Sequence, residues 1–467
     1  MSSNTVAKAV GTAAVTAAAL LVASLVTQRV RDRNLPPRNA TWSPLGDTLE
    51  FYKDRAQFVR KSFAKFKGTF RVVTVLESTV FLFPTAENLK LVTGQKLLGW
   101  PKHYPTLVGE TSVSMVNGAA HKKGRVVSGR AFTPNALDNF LPKTQEAARE
   151  HLKRWVLWSS AEDTRPALKS FTFQLAHQVI LGRQLPEELS KKMMDLFDES
   201  TRGLVCPYPY DVPGFKFRKC MNARRELDKI YQGVIDEQRK ATTKVPMTML
   251  EHVMTPDTKD GDTGTNKELI DFCYNMVFAG HDTTLASMQS LLYLLSTNPT
   301  VMQELRDEVD ALWDGEAVLT RDSLRLFHKS RAFISETLRI VPPIASTVRR
   351  LDSATDVDGY HLPRGTKVAV DSISVNDLVY GPDAPVKLAR FLNEDGTFKE
   401  TTFDFQLSPA FGTGSRMCLG YKFALDQILI FLVTVVRLYD FNVISSVRQS
   451  WLIQYYRVTS SFSVRCK

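Results

Sequence analysis

The sequence predicts a mainly α-helical protein with small β-sheets, preceded by an N-terminal transmembrane helix. Three observations carry that expectation. Residues 145–293 hold a long run of helical apolar periodicity, broken only at Pro186, at Pro207 to Pro213 and at the polar stretch Thr255 to Thr265. A second strongly apolar helix is expected from about Leu419 to Tyr439. Strand character is confined to short alternating runs, too brief for a large sheet.

Taken in order, the first element is the candidate anchor. Residues Ala9 to Val26 carry no charge over eighteen positions, close to the roughly 20 that a membrane helix needs. Lys8 precedes them, and Arg29, Arg31 and Arg33 follow, which places the body on the cytosolic side. Leu35-Pro36-Pro37 then stops the helix. The segment is rich in Ala and Thr, so a cleaved signal peptide and a plastid transit peptide are the alternatives. The chain is thereby divided into 1–34, an anchor with its basic flank, and 35–467, one folded body. The expected location is the endoplasmic reticulum membrane with the body in the cytosol, a plastid membrane being the alternative.

Beyond the hinge, Phe70 to Val75 and Thr79 to Phe83 alternate β-branched and aromatic residues and read as a hairpin. A capping-box spacing at Thr265 to Glu268 opens a helix of roughly 30 residues that runs to Ser296, where Asn298-Pro299 ends it. A further helix runs from about Phe327 to Arg339. Leu351 to Val370 turns to strand, with Asp358-Gly359 as a turn. After the last helix, Phe441 to Ile444 and Val458 to Val464 read as strands.

The net charge is +11, which suits nucleic acid, a membrane surface or an acidic partner. No basic run interleaved with aromatics and no helix-turn-helix or finger spacing is present, so nucleic acid is not expected. Five cysteines are scattered without CxxC spacing. That argues against a disulfide framework and against zinc, and leaves at most one cysteine for chemistry.

Four segments bear on that chemistry. Phe411 to Gly420 is a glycine-punctuated loop that delivers Cys418 to the start of an apolar helix. A helix N-terminus offers free N–H groups and partial positive charge, which favour a thiolate. Gly414 and Gly420 allow close approach of a flat ligand, and Arg416 sets a permanent cation beside it. The bland alternative is a buried structural cysteine. In the middle of the long helix, Ala279-Gly280 leave room beside the backbone, while Asp282 and Thr283 put a carboxylate and a hydroxyl on an otherwise apolar element. Burying them has a desolvation cost unless they are bonded or used; a Thr bonded back to its own turn is the structural alternative. Glu336 and Arg339 share a helix face at i, i+3 spacing, an ordinary surface pair if taken alone. His121 and Arg125 likewise share a face, with a solvated basic face as the alternative.

Together these segments resemble the cytochrome P-450 family of heme-thiolate monooxygenases, over nearly the whole chain. Phe411, Gly414, Arg416, Cys418 and Gly420 meet its Phe-x-x-Gly-x-Arg-x-Cys-x-Gly loop, Ala279 to Thr284 its Ala-Gly-x-Asp/Glu-Thr-Thr/Ser helix, and Glu336 and Arg339 its Glu-x-x-Arg pair. The family's Pro-Glu-Arg-Phe is here Leu388-Ala389-Arg390-Phe391, which keeps the Arg and lacks the Pro and the acid. The resemblance implies the cytochrome P-450 fold and heme b (iron protoporphyrin IX) with Cys418 as iron ligand. It implies Phe411 beside the thiolate, and Arg416, His121, Arg125 and Arg349 toward the propionates, with Arg350 the rival of Arg349. Asp282 and Thr283 would deliver protons to O2, and Glu336, Arg339 and Arg390 would hold the scaffold. His281 falls in the family's variable slot and is given no role.

By the same resemblance one atom of O2 enters an apolar C–H bond. No flavin or dinucleotide fingerprint appears, so electrons are expected from NADPH through a flavoprotein reductase, with Lys122, Lys123 and Lys422 near the docking face. Pocket positions near 98–116, 278–283, 344–348 and 458–460 are largely apolar and suit a lipid-like small molecule. Residues 44–51 and 278–284 look like the branch that holds sterol and retinoid hydroxylases, which points to a sterol, terpenoid or carotenoid-derived substrate. Two other classes stay open: a heme-thiolate isomerase or dehydratase using a hydroperoxide, and a non-catalytic heme- or lipid-binding protein.

Overall fold

The computed structural model describes residues 34–39, 45–74, 77–157, 160–182, 185–206, 208–240, 246–255, 264–400, 409–450 and 454–465. The candidate anchor Ala9 to Val26 lies outside them. Among the described residues, no helix is long and apolar enough to cross a membrane.

The long helix spans Asn266–Ser296 and begins at the expected capping box: the Thr265 hydroxyl accepts from the Glu268 N–H, and the Glu268 carboxylate accepts from the Thr265 N–H. It packs against the helices Thr164–Leu181 and Tyr421–Leu438 and against the strand Gln454–Val464. The helix Pro134–Trp155 closes the same core, which is built from Phe140, Trp155, Phe171, Phe173, Leu291 and Phe431. Burial of that apolar stripe, at about 25 cal/mol per Å², holds the helical body together.

One sheet of five strands lies at an edge. Its hairpin, Phe70–Val73 with Ser78–Phe81, is in the register Phe70↔Phe81. Ser78–Phe81 runs parallel to Lys367–Asp371, which pairs antiparallel with Ser346–Arg350; Leu97–Leu98 completes the order. Ser346–Arg350 is not legible from alternation, because it ends in two arginines and follows a Pro pair. Thr355–Val357 and Tyr360–Leu362 form a separate hairpin. Its turn residues Asp358 and Gly359 have φ of 50° and 82°, the left-handed pair of a type I′ turn.

The C-terminal hairpin is longer than expected, spanning Tyr439–Ser450 and Gln454–Val464 with a register shift between Thr459 and Ser460. Its exposed residues include apolar Ile444, Val447 and Val464 as well as polar ones, so alternation marks only part of each strand. The last helix starts at Tyr421 rather than Leu419, since residues 418–420 are spent turning out of the cysteine loop.

Candidate functional site

The cysteine loop is two 3-10 turns, Pro409–Phe411 and Gly414–Arg416. Gly412 and Gly414 take φ of 66° and 69°, a conformation that favours glycine. The Cys418 N–H donates to the Phe411 carbonyl at 2.9 Å, and the Met417 N–H to Gly414 at 3.1 Å. Arg125 Nη1 braces the loop from outside through the Met417 carbonyl at 2.7 Å. A side chain at Gly420 would meet the Phe132 ring at 3.2 Å.

Cys418 is exposed, yet protein surrounds it, so its surface lines an interior void. Burial pushes the thiol above its ordinary pKa, against the opposing pull of the Gly420 N–H and the Arg125 charge. The expectation that the helix start lowers this pKa is therefore corrected: desolvation outweighs the backbone donor. A bound metal ion would reverse the balance, because a coordinating thiol is deprotonated outright.

The long helix has its own opening. Ala279 is exposed and Gly280 and Thr283 are half-buried, whereas Val277, His281, Thr284 and Leu285 around them are buried. Nothing lies within 4 Å of where a Cβ on Gly280 would sit. Thr283 Oγ1 donates to the Ala279 carbonyl at 2.7 Å. That is the i−4 bond named above as the structural alternative, and it leaves an oxygen lone pair beside the opening. Asp282 Oδ1 stands 4.0 Å from Arg165 and 3.8 Å from His281. The helix that follows Cys418 packs on this one.

Three arginines and a histidine from three elements converge nearby. His121 and Arg125 come from the helix Gly118–Gly129, Arg349 from the sheet and Arg416 from the loop. Burial, then Arg416, Arg125 and Arg349, push His121 down to about 4. Burial, then Arg349 and Arg125, push Arg416 down to about 10. Arg416 donates to the Val116 carbonyl at 2.8 Å, to Lys96 at 3.0 Å and to Asn117 Oδ1 at 2.9 Å. Arg349 is partly buried and its Nε has no partner. Among the described residues, no carboxylate pairs with Arg125, Arg349 or Arg416. Arg350 points elsewhere, pairing with Glu77 at 3.3 Å, so Arg349 is the member of the cluster. Uncompensated cations beside a void require an anion, and the two propionates of a heme would supply it.

Glu336, fully buried, accepts from Arg339 Nη2 at 2.8 Å and from Arg390 Nη1 at 3.1 Å. Arg339 also donates to the Ala384 carbonyl at 3.0 Å and Arg390 to Pro385 at 2.7 Å. Both guanidinium groups lie 5.3 Å from the Tyr380 ring. The segment Leu388–Phe391 is a 3-10 turn that buries Leu388 and Phe391. Those two apolar anchors fix Arg390 without the family's Pro and acid.

A polar clasp that sequence reasoning missed holds residues 104–117 against the long helix. Asp271 Oδ2 accepts from the Thr111 N–H at 3.1 Å and from its hydroxyl at 2.8 Å, and Arg224 Nη2 donates to Oδ1 at 2.8 Å. Arg224 Nη1 continues to the Leu107 carbonyl at 2.5 Å, and Ser114 bonds Asn275. The signal was present: Asp271 and Asn275 are polar residues four apart on an apolar helix. Beneath the clasp, Phe278 packs with Tyr104, Leu107, Val108 and Met115, an apolar wall.

A family model described as Cytochrome P450 matches residues 36–452. Among curated relatives, Cytochrome P450 26A1 of Danio rerio is 26% identical over 86% of this chain and 84% of its own length. Taxane 13-alpha-hydroxylase of Taxus cuspidata is 26% identical over 87% of this chain and 86% of its own. A solved structure titled retinoic acid bound cyanobacterial CYP120A1 superposes with a TM-score of 0.81 at 22% identity, covering 92% of this chain and 99% of that one. The last is a likeness of fold.

Proposed function

The chain belongs to the cytochrome P450 family, is a P450 monooxygenase and carries that family's cysteine-ligated heme, and from this premise we propose Cys418 as the iron ligand and Asp282 with Thr283 as the groups that manage protons. The carrying observation is a thiol that lines an interior void, held by a loop whose neighbouring cations have no carboxylate partner among the described residues.

Bound heme supplies the activation of O2 that places one oxygen atom in a C–H bond and reduces the other to water. The rest is the work of the chain. The Gly420 N–H tempers the thiolate's charge. Arg125, Arg349 and Arg416 orient the propionates, with neutral His121 as a further hydrogen-bonding partner. Thr283 Oγ1 receives a proton from Asp282 and passes it on. The clasp at Asp271 keeps residues 104–117 over the pocket and excludes water. Glu336, Arg339 and Arg390 hold the loop's scaffold.

The substrate class supported best is a sterol, terpenoid or retinoid-like lipid, given the apolar wall around Phe278 and a taxane hydroxylase among the relatives. We assign an NADPH-dependent flavoprotein reductase as electron donor. Exposed Lys122 and Lys422 are its docking charges; Lys123 is 3.9 Å from Glu268 and is already engaged. Residues 1–34 anchor the body 35–467 to the endoplasmic reticulum membrane, the plastid membrane remaining the second assignment.

The purified protein, mixed with such a reductase and NADPH, should convert retinoic acid or a taxane-type diterpene into an oxygenated product, with NADPH consumption rising when the lipid is added. Turnover of a lipid hydroperoxide without NADPH would instead make it an isomerase or dehydratase. A heme protein that consumes no NADPH with any lipid would be a binding protein.

A further inference from the structure

Arg55 opens the helix Arg55–Phe66, which the preceding Asp54 caps by accepting from the Gln57 N–H at 3.0 Å. Protein encloses the guanidinium, yet the residue keeps accessible surface, so it faces an interior space as Cys418 does. The Phe51 and Phe81 rings back it, with centroids at 5.4 and 6.0 Å. Its Nε has no hydrogen-bond partner, and among the described residues no carboxylate pairs with it. A buried charge in that condition carries a desolvation cost that a fitting anion offsets.

The carboxylates nearby are already used. Asp371, the acid whose charge acts most on Arg55, is buried. Its Oδ2 accepts from the Ser374 N–H at 2.9 Å and hydroxyl at 2.8 Å, and its Oδ1 from Ser346 at 3.1 Å. Glu77 pairs with Lys367 and, at 3.3 Å, with Arg350. Three cations thus meet two carboxylates, and one positive charge is left over. The propionate cluster does not account for it. The charges that act on Arg416 are Arg349 and Arg125, and Arg55 is not among them. Ser346, at the Asp371 end of its strand, is three residues from Arg349, about 10 Å along the strand.

Tyr104 joins this place to the pocket. It faces Arg55, and it belongs to the apolar wall with Leu107, Met115 and Phe278. Its ring stacks on Trp100 at 5.7 Å. Its hydroxyl donates to no described residue, and burial raises its pKa, so it stays a donor. On the other side Ala56, next to Arg55, packs with Ala345, and the adjoining Ile344 is exposed.

We propose that Arg55, together with the Tyr104 hydroxyl, binds the carboxylate of an apolar lipid acid, whose chain runs along the Tyr104 and Phe278 wall to the opening at Ala279. This rests on the lipid-oxidising role proposed above and names the head group which that role leaves open. A guanidinium fork holds a carboxylate through two parallel N–H···O bonds. The single unbalanced charge matches a carboxylate rather than the nearly two charges of a phosphate monoester. With the acid tied at Arg55, oxygen enters the chain away from its carboxyl end.

The test is equilibrium dialysis of the heme-loaded protein with retinoic acid and with abietic acid, each beside its own methyl ester. Wild type should bind at least one acid about tenfold or more tightly than its ester. Arg55→Gln should weaken binding of that acid by about 10- to 100-fold, the worth of hydrogen bonds to a charged group, and leave the ester unchanged. Arg55→Lys, which keeps the charge without the fork, should fall between. If Arg55→Gln fails to take up heme, Tyr104→Phe is measured in its place and should show a smaller loss confined to the acid. Equal affinity of wild type for acid and ester, binding of neither acid, or a loss in the variant shared equally by the ester overturns the inference. Dialysis needs no turnover, so a failure of the proposed lipid oxidation is read separately from this result.

Discussion

Glu336→Ala should yield almost no folded, heme-loaded protein. The carboxylate is fully buried and serves two arginines at 2.8 and 3.1 Å. Removing it strands one buried and one partly buried positive charge rather than deleting a contact. Breaking a buried pair in this way costs about 3–5 kcal/mol, against a total stability of roughly 5–15 kcal/mol. Arg390→Ala should be milder, because Glu336 keeps Arg339. The order Glu336→Ala well below Arg390→Ala, read as heme content per chain and as urea midpoint, is the expected result. Equal loss in both would mean that Arg390 holds the loop through its carbonyl bond to Pro385, independently of the carboxylate.

Thr283→Ala should leave heme binding and thermal stability intact while product per NADPH falls by roughly 10²-fold, the scale of losing a positioned proton-transfer group. Electrons then leave as hydrogen peroxide. Among the described residues the hydroxyl bonds only to its own turn, at Ala279, and alanine is the better helix former, so the fold has no reason to suffer. Peroxide and product measured in one assay separate the two outcomes. Unchanged coupling would return Thr283 to a purely structural role.

The helical body and the long helix were legible because their signals are local: a capping box at Thr265 and apolar periodicity over about eight turns. The strand Ser346–Arg350 was not, since its pairing is set by partners distant in the chain. For the loop around Cys418, the sequence indicated which residues meet but not which force wins. A helix start argues for a low thiol pKa, and burial reverses it. The choice between Arg349 and Arg350 was likewise open until Glu77 was seen to take Arg350. Leu388-Ala389-Arg390-Phe391 departs from the family's pattern, yet its two buried apolar side chains aim Arg390 at Glu336.

The ligation by Cys418 is tested most directly by the absorption spectrum of the reduced protein under carbon monoxide, for wild type beside Cys418→Ser. Heme held by a thiolate gives a strongly red-shifted Soret band, which wild type should show and Cys418→Ser should lack. Wild-type protein that holds heme but shows no such band, or a Cys418→Ser protein that keeps it, would contradict the assignment.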